Sequence, residues 1–169
     1  MNTADIKNGY KIIKTSERLY LRRFTAGDIG AFSALIRDKA ASPMAQYDSP
    51  YPTDDEGLLN LLLYFIRSGE FLAVILKDTD ALIGFVSLNN ISDTEKNLGY
   101  CIHTAEWGHG YATEAAGAAI SYARESGVLR LVSGTAKENL PSRHVLEKLG
   151  FSAVGGDDAS DGLSYELIL

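Results

Sequence analysis

Apolar and polar positions along the chain fall into short alternating runs and longer runs of helical period, separated by turn and cap residues. Arg18 to Arg22 alternate as Arg-Leu-Tyr-Leu-Arg and predict a first strand, after which Thr25-Ala26-Gly27-Asp28 offers a helix start running into Ile29, Phe32 and Ile36. Asp38 to Pro52 is polar and aromatic and carries Pro43, Pro50 and Pro52, so a long loop is expected, of the kind that borders sites. Thr53-Asp54-Asp55-Glu56 has the form of a capping box and predicts a helix from Asp54 to about Ser68. Its apolar residues Leu58, Leu59, Leu61, Leu62, Leu63, Phe65 and Ile66 cover most of the circumference. They fit two buried faces within the monomer, or one face offered to a ligand or partner.

Phe71 to Leu76 and Ala81 to Leu88 are β-rich runs joined by Lys77-Asp78-Thr79-Asp80, a hairpin by composition and spacing, and Leu98 to His103 reads as another strand. Between Ala112 and Ser126, residues Ala112, Ala115, Ala116, Ala119, Ile120 and Ala123 share one helical face, and Gly127 ends the helix. That face is built of small side chains, so the helix can lie close against a sheet. A strand at Leu129 to Thr135, a helix at Pro141 to Leu149 closed by Gly150, and strands at Phe151 to Val154 and Leu163 to Leu169 complete the chain. The Gly/Asp/Ser-rich stretch Gly155 to Gly162 reads as the loop between the last two. The order β-α-α-β-β-β-α-β-α-β-β predicts a single α/β or α+β domain with a mixed sheet.

Composition narrows the picture. The 169 residues suffice for one good core. No apolar run reaches membrane-spanning length, and the N-terminus lacks the layout of a secretion signal, so a cytoplasmic protein is expected. The lone Cys101 excludes an internal disulfide, and the three histidines show no metal-ligand spacing, so no metal is expected. A net charge of −6 argues against non-specific nucleic-acid binding and suits a cationic partner better.

The candidate chemistry lies where the Leu98–His103 strand passes into the following helix. Gly108, Gly110 and Ala112 fall at every second position, let the backbone approach a ligand, and turn N–H groups toward one point at the positive end of the helix dipole. Such an arrangement cradles a diphosphate. An ordinary tight strand-to-helix turn needs glycine as well, and the spacing by itself leaves both readings open.

The residues Trp107-Gly108-His109-Gly110-Tyr111-Ala112-Thr113-Glu114-Ala115 resemble the coenzyme A pyrophosphate loop of GNAT acetyltransferases, Gln/Arg-x-x-Gly-x-Gly/Ala. The likeness is to the W-G-x-G-Y-A-T-E-A form of the ribosomal-protein N-acetyltransferase (RimJ/RimL-like) branch. Asn139-Leu140-Pro141-Ser142-Arg143-His144-Val145-Leu146-Glu147-Lys148-Leu149-Gly150-Phe151 looks like that branch's N-x-x-S-x-x-V-x-E-K-L-G-F segment. Ser16-Glu17-Arg18-Leu19-Tyr20-Leu21-Arg22 is similar to its first strand, and Leu82-Ile83-Gly84-Phe85-Val86 to its third. The likeness covers residues 15–169, leaving 1–14 as an N-terminal extension.

The resemblance implies a sheet splayed between the Leu98–His103 and Leu129–Thr135 strands, with the pantetheine arm of acetyl-CoA paired to backbone around Tyr100, Cys101 and Ile102. It further implies direct attack of an amine through a tetrahedral intermediate, with a backbone N–H near Cys101 or Ile102 as oxyanion donor. Where many relatives carry a tyrosine to protonate the leaving thiolate, this chain offers Ser142, for which a bond to backbone in its own helix turn is the alternative role. Asn139 is expected to bond the pantetheine or cap that helix. A glutamate common before the Leu-Gly-Tyr of the strand is replaced by Asn97, so Glu95, His103, Glu106 and Asp48 remain as base candidates. His103 is favoured by its side of the strand and by the near-neutral titration of imidazole. The acceptor is expected to be a protein N-terminus or a small cationic amine, for which Asp48, Asp54, Asp55 and Glu56 offer negative charge. The state is expected to be monomer or homodimer. A binding module that senses acetyl-CoA without turnover is the alternative.

Overall fold

Two strands precede the one expected first. In the structure, a computed structural model describing residues 6–7, 9–155 and 162–169, β1 (Ile6–Lys7) pairs with β2 (Tyr10–Thr15), which pairs in turn with β3 (Leu19–Arg23). Tyr10–Lys14, expected as part of an extension, is therefore strand. Ile12 packs toward one core and Ile13 toward the other, and the register shifts between Ile12 and Lys14. A strand apolar on both faces lacks the alternation that marks a half-buried one.

A short 3₁₀ turn (Ala26–Asp28) leads into α1 (Ile29–Ala41), and a second (Pro43–Tyr47) replaces part of the expected long loop. The next helix, α2 (Asp55–Ser68), starts differently from the expected capping box. Asp54, not Thr53, is the N-cap, its carboxylate accepting from the Gly57 N–H at 2.9 Å. Leu58, Leu62 and Phe65 are buried, whereas Leu59 and Tyr64 are exposed, so α2 has one buried face in this chain and not two.

The chain continues through β4 (Phe71–Leu76), β5 (Leu82–Asn90), β6 (Glu95–Ile102), a 3₁₀ turn (Thr104–Glu106), α3 (Tyr111–Glu125), β7 (Arg130–Ala136), α4 (Leu140–Lys148), β8 (Ser152–Ala153) and β9 (Gly162–Ile168). The loop expected between the last two strands lies, from 156 to 161, outside the described residues. Among the described residues the sheet order is β1-β2-β3-β4-β5-β6-β7-β9-β8, antiparallel everywhere except between β6 and β7. The α/β fold expected from the sequence is the one observed.

The sheet separates two cores. On one side α3 lays Ala115, Ala116, Ala119 and Ala123 onto Leu19, Leu21, Val86 and Leu98, and Leu146 of α4 joins them. Small side chains bring the helix axis close to the strands, which fixes where its N-terminus points. On the other side α1 and α2 pack an aromatic cluster in which Phe65 stacks on Phe71 at 3.6 Å between centroids and meets Phe24, Phe32 and Phe85 edge-on. Each such contact adds about 1 kcal/mol beyond the area it buries.

One ion pair is buried where β3 meets α1. Arg22 donates from both terminal nitrogens to Asp28, at 2.8 and 2.7 Å, and Asp28 also accepts from the Thr25 N–H. Burial would raise the Asp28 carboxyl, but the hydrogen bonds from Arg22 and Thr25 outweigh it and hold it below its ordinary value of 3.8. A carboxyl lowered by folding stabilises the fold above its ordinary pKa, and the contribution disappears as pH falls through the lowered value. Denaturant midpoints are thus expected to fall between ~pH 5 and ~pH 3. An NMR titration should place Asp28 below 3.8; a value at or above it contradicts the pairing.

Candidate functional site

The parallel pair β6 and β7 runs together only from Glu95–Arg130 to Asn97–Val132. Beyond that the strands part, and the gap opens toward their C-terminal ends. Ser133 Oγ donates to the Leu98 carbonyl at 2.9 Å across the apex. This is the splay expected between the fourth and fifth strands.

Which backbone groups face the gap follows from the register with β5. The His103 N–H donates to Ile83 O at 2.8 Å, so alternate residues Cys101 and Gly99 turn their N–H and C=O groups to β5. Leu98, Tyr100 and Ile102 turn theirs to the gap. The Ile102 carbonyl is already taken by the Trp107 indole N–H at 2.7 Å. Of the backbone groups expected to meet the pantetheine or the oxyanion, Cys101 is thus committed to Phe85, and both groups of Tyr100 and the N–H of Ile102 remain. The Cys101 side chain faces the α1–α2 side, and burial pushes its thiol up to about 12, which disfavours a thiolate nucleophile.

At the open end the chain turns through Trp107–Gly110 into α3. Gly108 and Gly110 hold φ of 79° and 78°, a region only glycine enters freely, and Gly110 is the N-cap. The first hydrogen bond of the helix runs from Glu114 N–H to Gly110 O. The N–H groups of Gly108, His109, Gly110, Tyr111, Ala112 and Thr113 donate to nothing among the described residues. Successive free N–H groups at the start of a 15-residue helix form an anion cradle, so the residues present fit a diphosphate.

Across the gap stands α4. Asn139 is its N-cap, its Oδ1 accepting the Ser142 N–H at 3.3 Å, which of the two expected roles is the capping one. The Tyr100 hydroxyl lies 3.0 Å from both the carbonyl and the Oγ of Ser142. A carbonyl can only accept, so the phenol proton goes there and Ser142 Oγ–H donates to the phenol oxygen. Burial pushes Tyr100 up to about 12, so it stays protonated at neutral pH.

The base candidates differ in how free they are. Glu95 is ion-paired with Arg130 at 3.0 Å near the apex, and Asp48 with Lys39. His103 Nδ1 accepts from the Ala105 N–H at 3.2 Å and lies 3.7 Å from Asp38, whose carboxylate also accepts from the N–H and hydroxyl of Thr104. The backbone carbonyl of Glu106 lies 3.2 Å from His109 Nδ1. Of the acidic residues expected to favour a cation, Asp54 is spent on the α2 cap and Asp55 pairs with Arg37 at 2.5 Å. A cavity of about 70 Å³ is lined by Lys39, Asp48 and Tyr51 on the same side of the sheet as His103's partner Asp38.

The acetyltransferase (GNAT) domain model matches residues 18–152. The chain belongs to the GNAT acetyltransferase family. A curated relative, the uncharacterized N-acetyltransferase YnaD of Bacillus subtilis (strain 168), is 32% identical over 90 residues, 52% of this chain and 53% of the relative, so the match spans about half of that protein. Among solved structures, a GNAT-family acetyltransferase from Bacillus anthracis superposes with a TM-score of 0.83 at 23% identity, covering 92% of this chain and 97% of that one. RimL, a ribosomal L7/L12 α-N-protein acetyltransferase solved with coenzyme A, gives 0.81 at 21% identity, covering 94% and 98%. These two likenesses establish the GNAT fold.

Within this GNAT domain, the structure joins residues that sequence reasoning left apart. Tyr100 was singled out for its backbone, yet its hydroxyl meets Ser142. Asp38 was read as the start of a loop, yet it ends up beside His103 because α1 extends through it. Helical spacing from Phe32 and Ile36 is the available signal; the polar and aromatic composition of Asp38 to Pro52, with its three prolines, points to a loop instead.

Proposed function

We propose that this GNAT protein is an acetyl-CoA-dependent N-acetyltransferase that moves the acetyl group to a primary amine by direct attack. The row of free N–H groups from Gly108 to Thr113, at the mouth of a gap between parted strands, carries the reading. Those groups would hold the diphosphate, and the backbone of Tyr100 would pair with the pantetheine arm. The bound thioester supplies the activated acetyl group. The Ile102 N–H is placed to polarise its carbonyl, and the Ser142 hydroxyl, turned from Tyr100 to the departing sulfur, to give it a proton that solvent then replaces. His103 is the proposed base: with Nδ1 accepting from the Ala105 N–H, the neutral ring carries its hydrogen on Nε2, so Nδ1, beside Asp38, would exchange that bond for the amine's proton. The acceptor is a protein N-terminus or a small cationic amine.

The test is acetyl-CoA-dependent release of free thiol with a panel of amines and N-terminal peptides, alongside calorimetric titration with CoA. Release on any acceptor supports the enzyme. Tight CoA binding without release on all of them favours a sensing module, a reading encouraged by Asn97 and by the ion pairs that occupy Glu95 and Asp48. No CoA binding removes both. With an active acceptor, Ser142→Ala is expected to lower kcat about ten- to a hundredfold with little change in CoA affinity; an unchanged kcat excludes Ser142 as the acid.

A further inference from the structure

The first-strand motif and the glycine loop, 96 positions apart, meet at one carboxylate. Glu114 Oε1 accepts from Ser16 Oγ at 2.8 Å and from the Arg18 backbone N–H at 2.7 Å. Its Oε2 accepts from Arg18 Nε at 2.7 Å and is ion-paired with Nη2, also 2.7 Å away. The remaining terminal nitrogen of Arg18 donates to the His109 carbonyl at 2.9 Å, and the guanidinium lies over the Tyr111 ring, 4.5 Å from its centroid. Loop, strand entry and first helical turn are thereby clamped together.

We propose that Arg18 and Glu114 are positioning residues that hold the glycine loop in its anion-binding shape, an inference that rests on the reading of that loop as the coenzyme A site. Glycines at 108 and 110 make the shape accessible but do not enforce it, because glycine populates many backbone conformations. The Arg18 bond to His109 O supplies the constraint. In a trans peptide the C=O and the following N–H point in opposite directions, so fixing His109 O toward Arg18 turns the Gly110 N–H away from it. Glu114 aims the guanidinium and absorbs its charge. With Nε and Nη2 on Glu114 and Nη1 on His109, Arg18 acts through the loop instead of binding phosphate itself.

This division of labour makes predictions that a direct phosphate contact does not share. Lysine keeps the charge, but a single ammonium cannot serve Glu114 and His109 O together in the fork geometry. Freeing a phosphate-binding arginine from its carboxylate would strengthen CoA binding; disturbing a positioning pair weakens it. The experiment is calorimetric titration of CoA into the wild type, Arg18→Met, Arg18→Lys, Glu114→Gln and the Arg18→Met/Glu114→Gln double variant. Emission of Trp107, the chain's one tryptophan and part of the loop, reports loop conformation without ligand, and melting curves report the fold.

Each single variant is expected to bind CoA about tenfold more weakly, and the double variant no worse than the weaker single one, because both remove one unit. The ligand-free Trp107 emission should shift while the melting temperature moves by only a few degrees. Equal or tighter binding by Glu114→Gln, or wild-type affinity in Arg18→Lys, overturns the proposal while leaving the loop as the CoA site. A wild type that does not bind CoA overturns the loop assignment and this inference with it. Should Arg18→Met fail to fold, Glu114→Gln and Arg18→Lys still decide.

Discussion

Gly110→Arg is expected to leave a folded protein whose affinity for coenzyme A has fallen by at least about a hundredfold. Gly110 sits at a φ of 78°, and a β-carbon there costs about 1–2 kcal/mol in that region, so the backbone is pushed to turn the loop. The new β-carbon would stand 3.7 Å from Arg18 Nη2, so the side chain extends into the space beside the clamp and the free N–H groups. The added positive charge does not offset this, because the side chain occupies the place where phosphate would approach the backbone. Calorimetric titration with CoA checks the outcome, with a melting curve to establish that the variant is folded. Unaltered affinity would refute the assignment of the loop.

Gly84→Ala is expected to cost about 3 kcal/mol of stability, at the upper end of overpacking effects, and roughly 6–12 °C in melting temperature. Gly84 faces Ile102 across the β5–β6 ladder in a pair without direct hydrogen bonds, where the strands come closest. A β-carbon there would overlap the Cys101 carbonyl oxygen and stand 2.7 Å from Ile102 Cδ1. Backbone cannot yield as a flexible side chain can, so the end of β6 must move away from β5. That movement carries the Ile102 N–H with it, so CoA affinity or turnover should suffer beyond what the loss of folded protein explains. A melting temperature within a degree or two of wild type would show that the strands accommodate the methyl group.

How much of this was legible in the sequence depends on how local each signal is. The hairpin through Lys77–Asp80, the small-residue face of α3, and the terminating glycines 127 and 150, both at positive φ, are set by neighbours a few positions apart, and they form as the pattern predicts. The strand β2 escaped because both of its faces are covered. The Thr53 cap failed because the helix begins one residue later, where Asp54 has the shorter reach to the Gly57 N–H. At the site, glycine spacing alone could not separate a phosphate cradle from a tight turn; the family likeness of the Asn139–Phe151 segment is what favours the proposed cradle. What no spacing could supply was the pairing of distant side chains: Tyr100 with Ser142, Arg18 with Glu114, Asp38 beside His103. These depend on how far β6 and β7 part and how closely α3 lies on the sheet.

The bond from the Trp107 indole to the Ile102 carbonyl joins the turn that would grip the nucleotide end of a donor to the tip of the strand that would face its acyl end. The two ends of such a long, flexible donor would then be read by one connected part of the protein. Under the proposed reaction, attraction exerted on the phosphates becomes alignment of a carbonyl many bonds away, since interaction with a non-reacting portion can be expressed in the transition state. Discrimination between a whole donor and its truncated fragment would be a matter of speed as much as of occupancy.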